Sequence, residues 1–324
     1  MHRGVRAPWQ PLKPLNVNGM RDSGTILVSG ASGLVGSALC RTLQARGYAI
    51  RELSRAPTLP DGRCWDPARG QMDTTALDGV AAVVHLAGEP IAQRWTAARR
   101  RRIRDSRVQS TAMLVAELCR RDSPPPLILA SGINYYGYAC RARTDERSSS
   151  GAGFLAKVCR EWEAATKPLS DAGGRVVQVR TGIVLSAQGG ALAKLLPPFK
   201  LGLGGRLGTG QQFMSWICLS DLVAVYLRVI EDATLAGPIN AVAPQALSNR
   251  AFTAALARAL RRPALLPLPA CMARLMFGAM ADETLLADMQ IAPQRLRAMG
   301  FEWQTPTLEA ALHACLQKDA DDES

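Results

Sequence analysis

Two groups of residues in this 324-residue chain are of types and spacings that do chemistry. The first is Gly30-Ala31-Ser32-Gly33-Leu34-Val35-Gly36, which follows at once on the β-branched and apolar run Thr25–Ser29. Gly30 allows a sharp exit from a strand, Gly33 removes a side chain where backbone must approach a phosphate, and Gly36 lets the next helix pack close. Leu34 and Val35 open that helix, so its unpaired N–H groups and positive dipole end face the same point. This is a cradle for the pyrophosphate of a dinucleotide. The second group is Ser131, Tyr135 and Tyr136 in the stretch SGINYYG, which closes the apolar run 127–130. A hydroxyl and two phenols at the end of a buried strand are suited to proton transfer beside a bound cofactor.

The elements that position these groups read as alternating strand and helix. Val35, Ala38, Leu39 and Leu43 recur at helical spacing after the glycine turn. The run 48–53 reads as a second strand, closed by Ser54 and Arg55. An acid about 20 residues beyond such glycines holds a ribose 2′-hydroxyl, whereas an arginine suits a 2′-phosphate. Arg55 is the favoured residue here and implies NADP(H), with Glu52 as the competing candidate. Trp65-Asp66 closes a third strand. The run 81–86, AAVVHL, is a buried parallel strand whose end, Ala87-Gly88-Glu89-Pro90, is small enough for a cofactor ribose to lie on the backbone. His85, inside that strand, reads as a packed core histidine.

A helix over 96–121 carries arginines at 99–102, 104 and 107, mostly away from the apolar face of Ile103, Val108, Leu114 and Leu118; they read as a solvated face. A helix over 153–169 carries Lys157, Glu161, Trp162 and Glu163. The glycine-rich stretch 188–211 is either a cover over a substrate or a structural loop, with Pro197-Pro198 interrupting its first helix. Ser220-Asp221 caps a helix over 222–231, and 238–242 is the last strand of the sheet. After Pro244 only helices are expected, at 248–260, 270–280, 293–299 and 307–316. The fold class is therefore α/β: a Rossmann-type doubly wound parallel sheet over 24–243, a smaller helical lobe over 244–318, a disordered basic tail at 1–23 and a frayed acidic tail at 319–324. Met20 is a second candidate for the initiating residue.

Bulk composition narrows the function. Hydrophobic residues make up 48%, mean hydropathy is near zero, and no apolar run reaches the 18 or so residues that span a bilayer, so no membrane partner is expected. Three histidines and eight cysteines without metal spacing leave no metal site to build. Cysteines in apolar contexts fit a reducing, cytoplasmic location. The net charge of +12 would draw a phosphorylated cofactor. It comes without a helix-turn-helix, zinc module or interleaved aromatics, so no nucleic-acid partner is expected.

The stretches SGASGLVGSAL, VVHLAGEPIAQRW, SRVQST, SGINYYG, VRTGIVLSAQGGALAKLLPPFKLGLGG, GTGQQFMSWI and IAPQRLRAMGFEWQTPTLEAAL span about residues 25–315. In these the chain resembles the extended short-chain dehydrogenase/reductases, and among them the atypical "epimerase family" group with a C-terminal segment of the DUF1731 type. The resemblance implies NADP(H) held by Gly30, Ser32, Gly33, Leu34, Val35 and Gly36, with Ser54 and Arg55 at the 2′-phosphate. It also implies cofactor contacts from Leu86, Ala87, Gly88 and Glu89, with Glu89 an acceptor and Arg94 closing over the phosphates. Ser131 matches the family's catalytic hydroxyl and Lys157 its lysine, but Gly153 stands where the tyrosine of YxxxK belongs. Tyr135 or Tyr136 is left to supply the phenol. Cys218 and Ser220 replace a histidine and an acid of the family pattern, while Asp221 is retained. The implied activity is an NADP(H)-dependent oxidoreductase or epimerase acting on a carbonyl or hydroxyl of a small molecule, sugar nucleotides included, as a monomer or homodimer. The alternative is an NADP(H)-binding regulatory protein with little turnover.

Overall fold

The apolar runs of the first three quarters of the chain assemble one eight-stranded sheet. The structure is a computed structural model and describes residues 24–322, so the expected tail at 1–23 lies outside the described residues. In chain order the strands are β1 (Thr25–Ser29), β2 (Ala49–Ser54), β3 (Arg63–Asp66), β4 (Gln71–Met72), β5 (Val80–His85), β6 (Leu127–Gly132), β7 (Val176–Thr181) and β8 (Gly237–Ala241). Their spatial order is β8-β7-β6-β5-β1-β2-β3-β4. Every neighbouring pair is parallel except β3 with β4. The helices between these strands include α1 (Leu34–Ala45), α2 (Ala97–Cys119), α3 (Phe154–Ala164) and α4 (Leu219–Glu231).

Both faces of the sheet are covered, which is why its strands read as continuous apolar runs. Ile26 and Val28 of β1 pack with Leu39 and Leu43 of α1 and Val225 and Tyr226 of α4. Leu27, between them, points to the other face and joins Leu114 and Leu118 of α2. β1 has β2 on one side and β5 on the other, so the chain winds outward in both directions from it. The carboxyl ends of β1 and β5 thus flank the switch-point crevice where such sheets bind ligands.

Strands do not stop after Pro244. Leu247–Ser248 pairs antiparallel with Phe213–Met214, and Asp288–Ile291 pairs parallel with Ala139–Thr144. Two- to four-residue strands are too short to show an alternation. The helix Gly190–Lys200 runs through Pro197 and Pro198 rather than breaking at them. Leu192, Leu196 and Phe199 bury together on its inner face, and the proline carbonyls accept from Leu201 and Leu203 N–H. α4 begins at Leu219 with Cys218 as its cap, three residues before the expected start. The last helix is Leu308–Asp322, so the backbone of 319–322 is helical. The expected helix over 153–169 is two: α3 and the short Lys167–Asp171.

Candidate cofactor and active site

The glycine turn is as tight as its residues allow. Gly30 has φ +73, and a Cβ there would lie 2.9 Å from the Ala87 nitrogen, against the end of β5. A Cβ on Gly36 would stand 2.1 Å from the Gly30 carbonyl oxygen, so this glycine lets α1 close on the turn itself. Gly33 N–H donates to the Gly30 carbonyl at 3.1 Å. Gly33 is also the cap residue of α1, and no side chain caps the helix. The first N–H groups of α1, from Leu34 and Val35, therefore have no intrahelical acceptor. Ser32 and Gly33 face solvent. A cradle that excludes side chains, lined by unmet N–H donors, fits the pyrophosphate of a dinucleotide. Leu34 is covered from the far side by the 186–190 segment, where a Cβ on Gly189 would meet it at 3.3 Å.

The end of β5 is locked to β1 and α2 by a buried network. Leu86 N–H donates to the Ser29 carbonyl at 3.1 Å and Ala87 N–H to Ser29 Oγ at 3.4 Å. His85 sits between Ser29 Oγ (2.5 Å) and Ser110 Oγ (3.1 Å), with Ser110 in turn donating to the Ser106 carbonyl. Burial, aided by the positive charge of Arg107, pushes its pKa down to about 3. His85 is a neutral core residue, as read from the sequence. Arg107 supports the loop from beneath, its Nη1 donating to the Glu89 carbonyl at 3.0 Å while its guanidinium lies over the Trp162 ring. A Cβ on Gly88 would meet it at 3.0 Å. The Glu89 carboxylate is held by Arg99 at 2.6 Å. Arg94 donates to the Leu275 carbonyl of the C-terminal segment at 3.1 Å.

At the end of β2 the two candidates for the ribose separate. Glu52 is buried, and one of its oxygens accepts from Thr58 N–H, Thr58 Oγ1 and Leu59 N–H. It shapes the 56–59 turn. Ser54 Oγ accepts from Ala56 N–H, and Arg55 is exposed at the rim.

The expected catalytic residues are only partly brought together. Ser131 is buried and donates to Glu163 Oε1 at 2.6 Å. Arg180 grips both oxygens of Glu163, from Nε at 2.9 Å and from Nη2 at 2.7 Å, and donates from Nη1 to the Tyr136 hydroxyl at 2.8 Å. Tyr136 donates onward to Asn240 Oδ1 at 2.8 Å. Burial pushes its pKa up to about 12, against the pull of Arg180. The phenol of Tyr136 is thus engaged on both sides, accepting from Arg180 and donating to Asn240. The Lys157 side chain is 64% exposed and pairs loosely with Glu161 at 3.9 Å, one turn along α3. Tyr135 remains half-buried, its ring 3.5 Å from the Arg180 guanidinium and edge-on to Tyr136.

Three residues have roles that the sequence alone did not assign. Glu163 and Arg180 organise the loop after β6; a lone arginine between Val179 and Thr181 at the end of a buried strand was the available signal. Glu283, from a single π-helical turn at Ala281–Leu285, accepts from the first N–H groups of α3, Phe154 and Leu155, both at 2.8 Å. Its backbone carbonyl accepts from Asn134 Nδ2. The C-terminal lobe therefore caps α3 beside the Ser131 loop. Asp221, retained from the family pattern, points away from this site and accepts from Gln304 N–H, Thr305 N–H and Thr305 Oγ1. Among the described residues no cluster suited to a metal occurs, and no helix is long and apolar enough to cross a membrane.

Residues 26–242 match the NAD dependent epimerase/dehydratase family. The chain belongs to that family. Its residues 268–315 match DUF1731, a domain of unknown function. It is thereby an extended short-chain dehydrogenase/reductase of the DUF1731-bearing group. An epimerase family protein of Mycobacterium tuberculosis is 42% identical over 89% of this chain and 96% of its own length. The human epimerase family protein SDR39U1 is 36% identical over 89% of this chain and 98% of its own length. A crystal structure of that human protein (isoform 2) with NADPH matches with a TM-score of 0.83 at 34% identity, covering 90% of this chain and 99% of the other. A nucleoside-diphosphate sugar epimerase from Corynebacterium glutamicum matches with a TM-score of 0.66 at 35% identity, over 93% of this chain and 66% of the other.

Proposed function

We propose that this protein binds NADP(H) across the glycine turn and transfers a hydride to or from a carbonyl or hydroxyl substrate. The observation that carries the reading is the side-chain-free cradle at Gly30 and Gly36 below the uncapped start of α1. The NADPH in the human relative supports it. Gly30, Ser32, Gly33, Leu34, Val35 and Gly36 would hold the pyrophosphate. Arg55, beside Ser54, would meet the 2′-phosphate, since Glu52 is already committed to the 56–59 turn. Leu86, Ala87 and Gly88 would line the ribose. Bound there, the nicotinamide supplies or accepts the hydride. Proton transfer falls to Tyr135, the phenol not fixed by the Arg180–Asn240 network, with Arg180 holding its ring in place.

This reading is tested by following NADPH absorbance with carbonyl compounds and nucleotide sugars. Oxidation by at least one is expected, with Tyr135→Phe slowing it by about 100-fold at little cost to NADPH affinity. Unchanged turnover in Tyr135→Phe would remove Tyr135 from the chemistry. The outward Lys157 and the committed Ser131 favour a second reading, an NADP(H)-responsive protein with little turnover. Tight NADPH binding with no oxidation across the panel would select it.

A further inference from the structure

Two thiols face each other where the C-terminal helix meets the body of the protein. Cys218 ends the strand Trp216–Cys218 and caps α4; Cys315 lies on the helix Leu308–Asp322. Their sulfurs are 3.9 Å apart, neither is disulfide-bonded, and they are 4% and 6% exposed. The surroundings assign the two sulfurs different roles. Cys218 Sγ accepts from Ser220 Oγ at 3.4 Å and stands at the positive end of a 13-residue helix. Cys315 donates to the Leu185 carbonyl at 3.5 Å. The Cys218 thiol is lowered to about 6, chiefly by its hydrogen bond with Cys315, then by Ser220 and Thr305. In contrast, burial raises the Cys40 and Cys159 thiols to about 11.

We propose that Cys218 and Cys315 form a dithiol centre that small hydroperoxides oxidise to a disulfide, tying the C-terminal helix to the strand before α4. The Cys218 thiolate attacks one peroxide oxygen. An S–O bond forms, the O–O bond breaks, and the departing hydroxide takes a proton to leave as water. Cys315 sulfur then attacks the Cys218 sulfenic acid. An S–S bond forms, the S–OH bond breaks, and the hydroxide takes the Cys315 proton as a second water. Two thiols lose two electrons in all, and one hydrogen peroxide becomes two waters. With both residues almost fully buried, a small oxidant is favoured over glutathione disulfide.

The experiment uses the full chain with exposed Cys64, Cys119 and Cys271 replaced by serine. It is treated with hydrogen peroxide, quenched, denatured, alkylated with N-ethylmaleimide and digested. The expected result is two fewer alkylated thiols and a dithiothreitol-sensitive peptide joining Cys218 to Cys315. Adding Cys315→Ser should abolish the linkage and leave a dimedone-reactive sulfenic acid on Cys218, while Cys218→Ser should leave Cys315 free of dimedone. Full alkylation of both thiols after oxidation, or a linkage joining another pair, would overturn the proposal. The linkage is read in the unsubstituted Cys218/Cys315 protein, so the test does not depend on either single variant folding, and it needs no NADPH.

Discussion

At the scale of the residue, the buried polar groups divide into those that hold the site and those free to act in it. His85 belongs to the first. Held neutral with a pKa near 3, it binds no proton in the folded state over a range where the unfolded chain, with an ordinary value of 6.5, does. Its contribution to stability is thus complete above about pH 6.5 and is lost as the pH falls toward 3. The loss is on the order of 3–5 kcal/mol for a shift of this size. Urea titrations between pH 7 and pH 3 should show that acid-side decline, and His85→Gln, less stable at pH 7, should flatten it. An equal slope in the variant would assign the decline to other groups. Residue type and strand position were enough to read His85 as core. They were not enough to find the partners of Ser131 and Tyr136. Those partners, Glu163, Arg180 and Asn240, come from separate elements, and no local spacing reports their meeting.

At the scale of the element, the strand–turn–helix unit was legible because its constraints are local. Gly30, Gly33 and Gly36 differ in what a methyl group would meet, and this separates folding from binding. Gly36→Ala places Cβ 2.1 Å from the Gly30 carbonyl and should unfold or badly destabilise the unit. Gly33→Ala meets that carbonyl at 3.3 Å, so the carbonyl must give by only a few tenths of an ångström, in an extended conformation alanine accepts. It should melt within about 1–2 kcal/mol of wild type, yet bind NADPH about tenfold less tightly or worse, because the methyl group enters the phosphate cradle. Thermal melts and nicotinamide fluorescence read the two effects separately; normal NADPH affinity in folded Gly33→Ala would argue against the cradle. Elements held by distant partners were read less well. The helix through Pro197-Pro198 is stabilised by its buried face, and the strand Asp288–Ile291 exists only because Ala139–Thr144 lies beside it.

At the scale of the whole molecule, the C-terminal segment is clamped to the sheet domain by carboxylates. Asp221 holds Gln304 and Thr305, and Glu283 caps α3 from the opposite direction. Asp221→Ala would leave the buried Thr305 N–H and Oγ1 unmet, along with Gln304 N–H. A loss of about 2–4 kcal/mol is expected in urea unfolding, with 304–305 losing amide-exchange protection first; unchanged protection there would show that other contacts secure the lobe. Composition and spacing suggested a nucleotide-binding part followed by a smaller C-terminal segment. The coupling was not, because a glutamate in a single π-helical turn resembles any surface acid until the helix start it caps is placed beside it.

The central claim is that a phosphorylated dinucleotide lies on the first βα turn with its extra phosphate at Arg55. Fluorescence titrations with NADPH and NADH, on wild type and Arg55→Glu, test it most directly. Wild type should bind NADPH in the micromolar range and NADH at least about tenfold more weakly, and Arg55→Glu should erase that preference by weakening NADPH alone. No response to NADPH up to millimolar concentration, or a preference that survives in Arg55→Glu, would contradict the account.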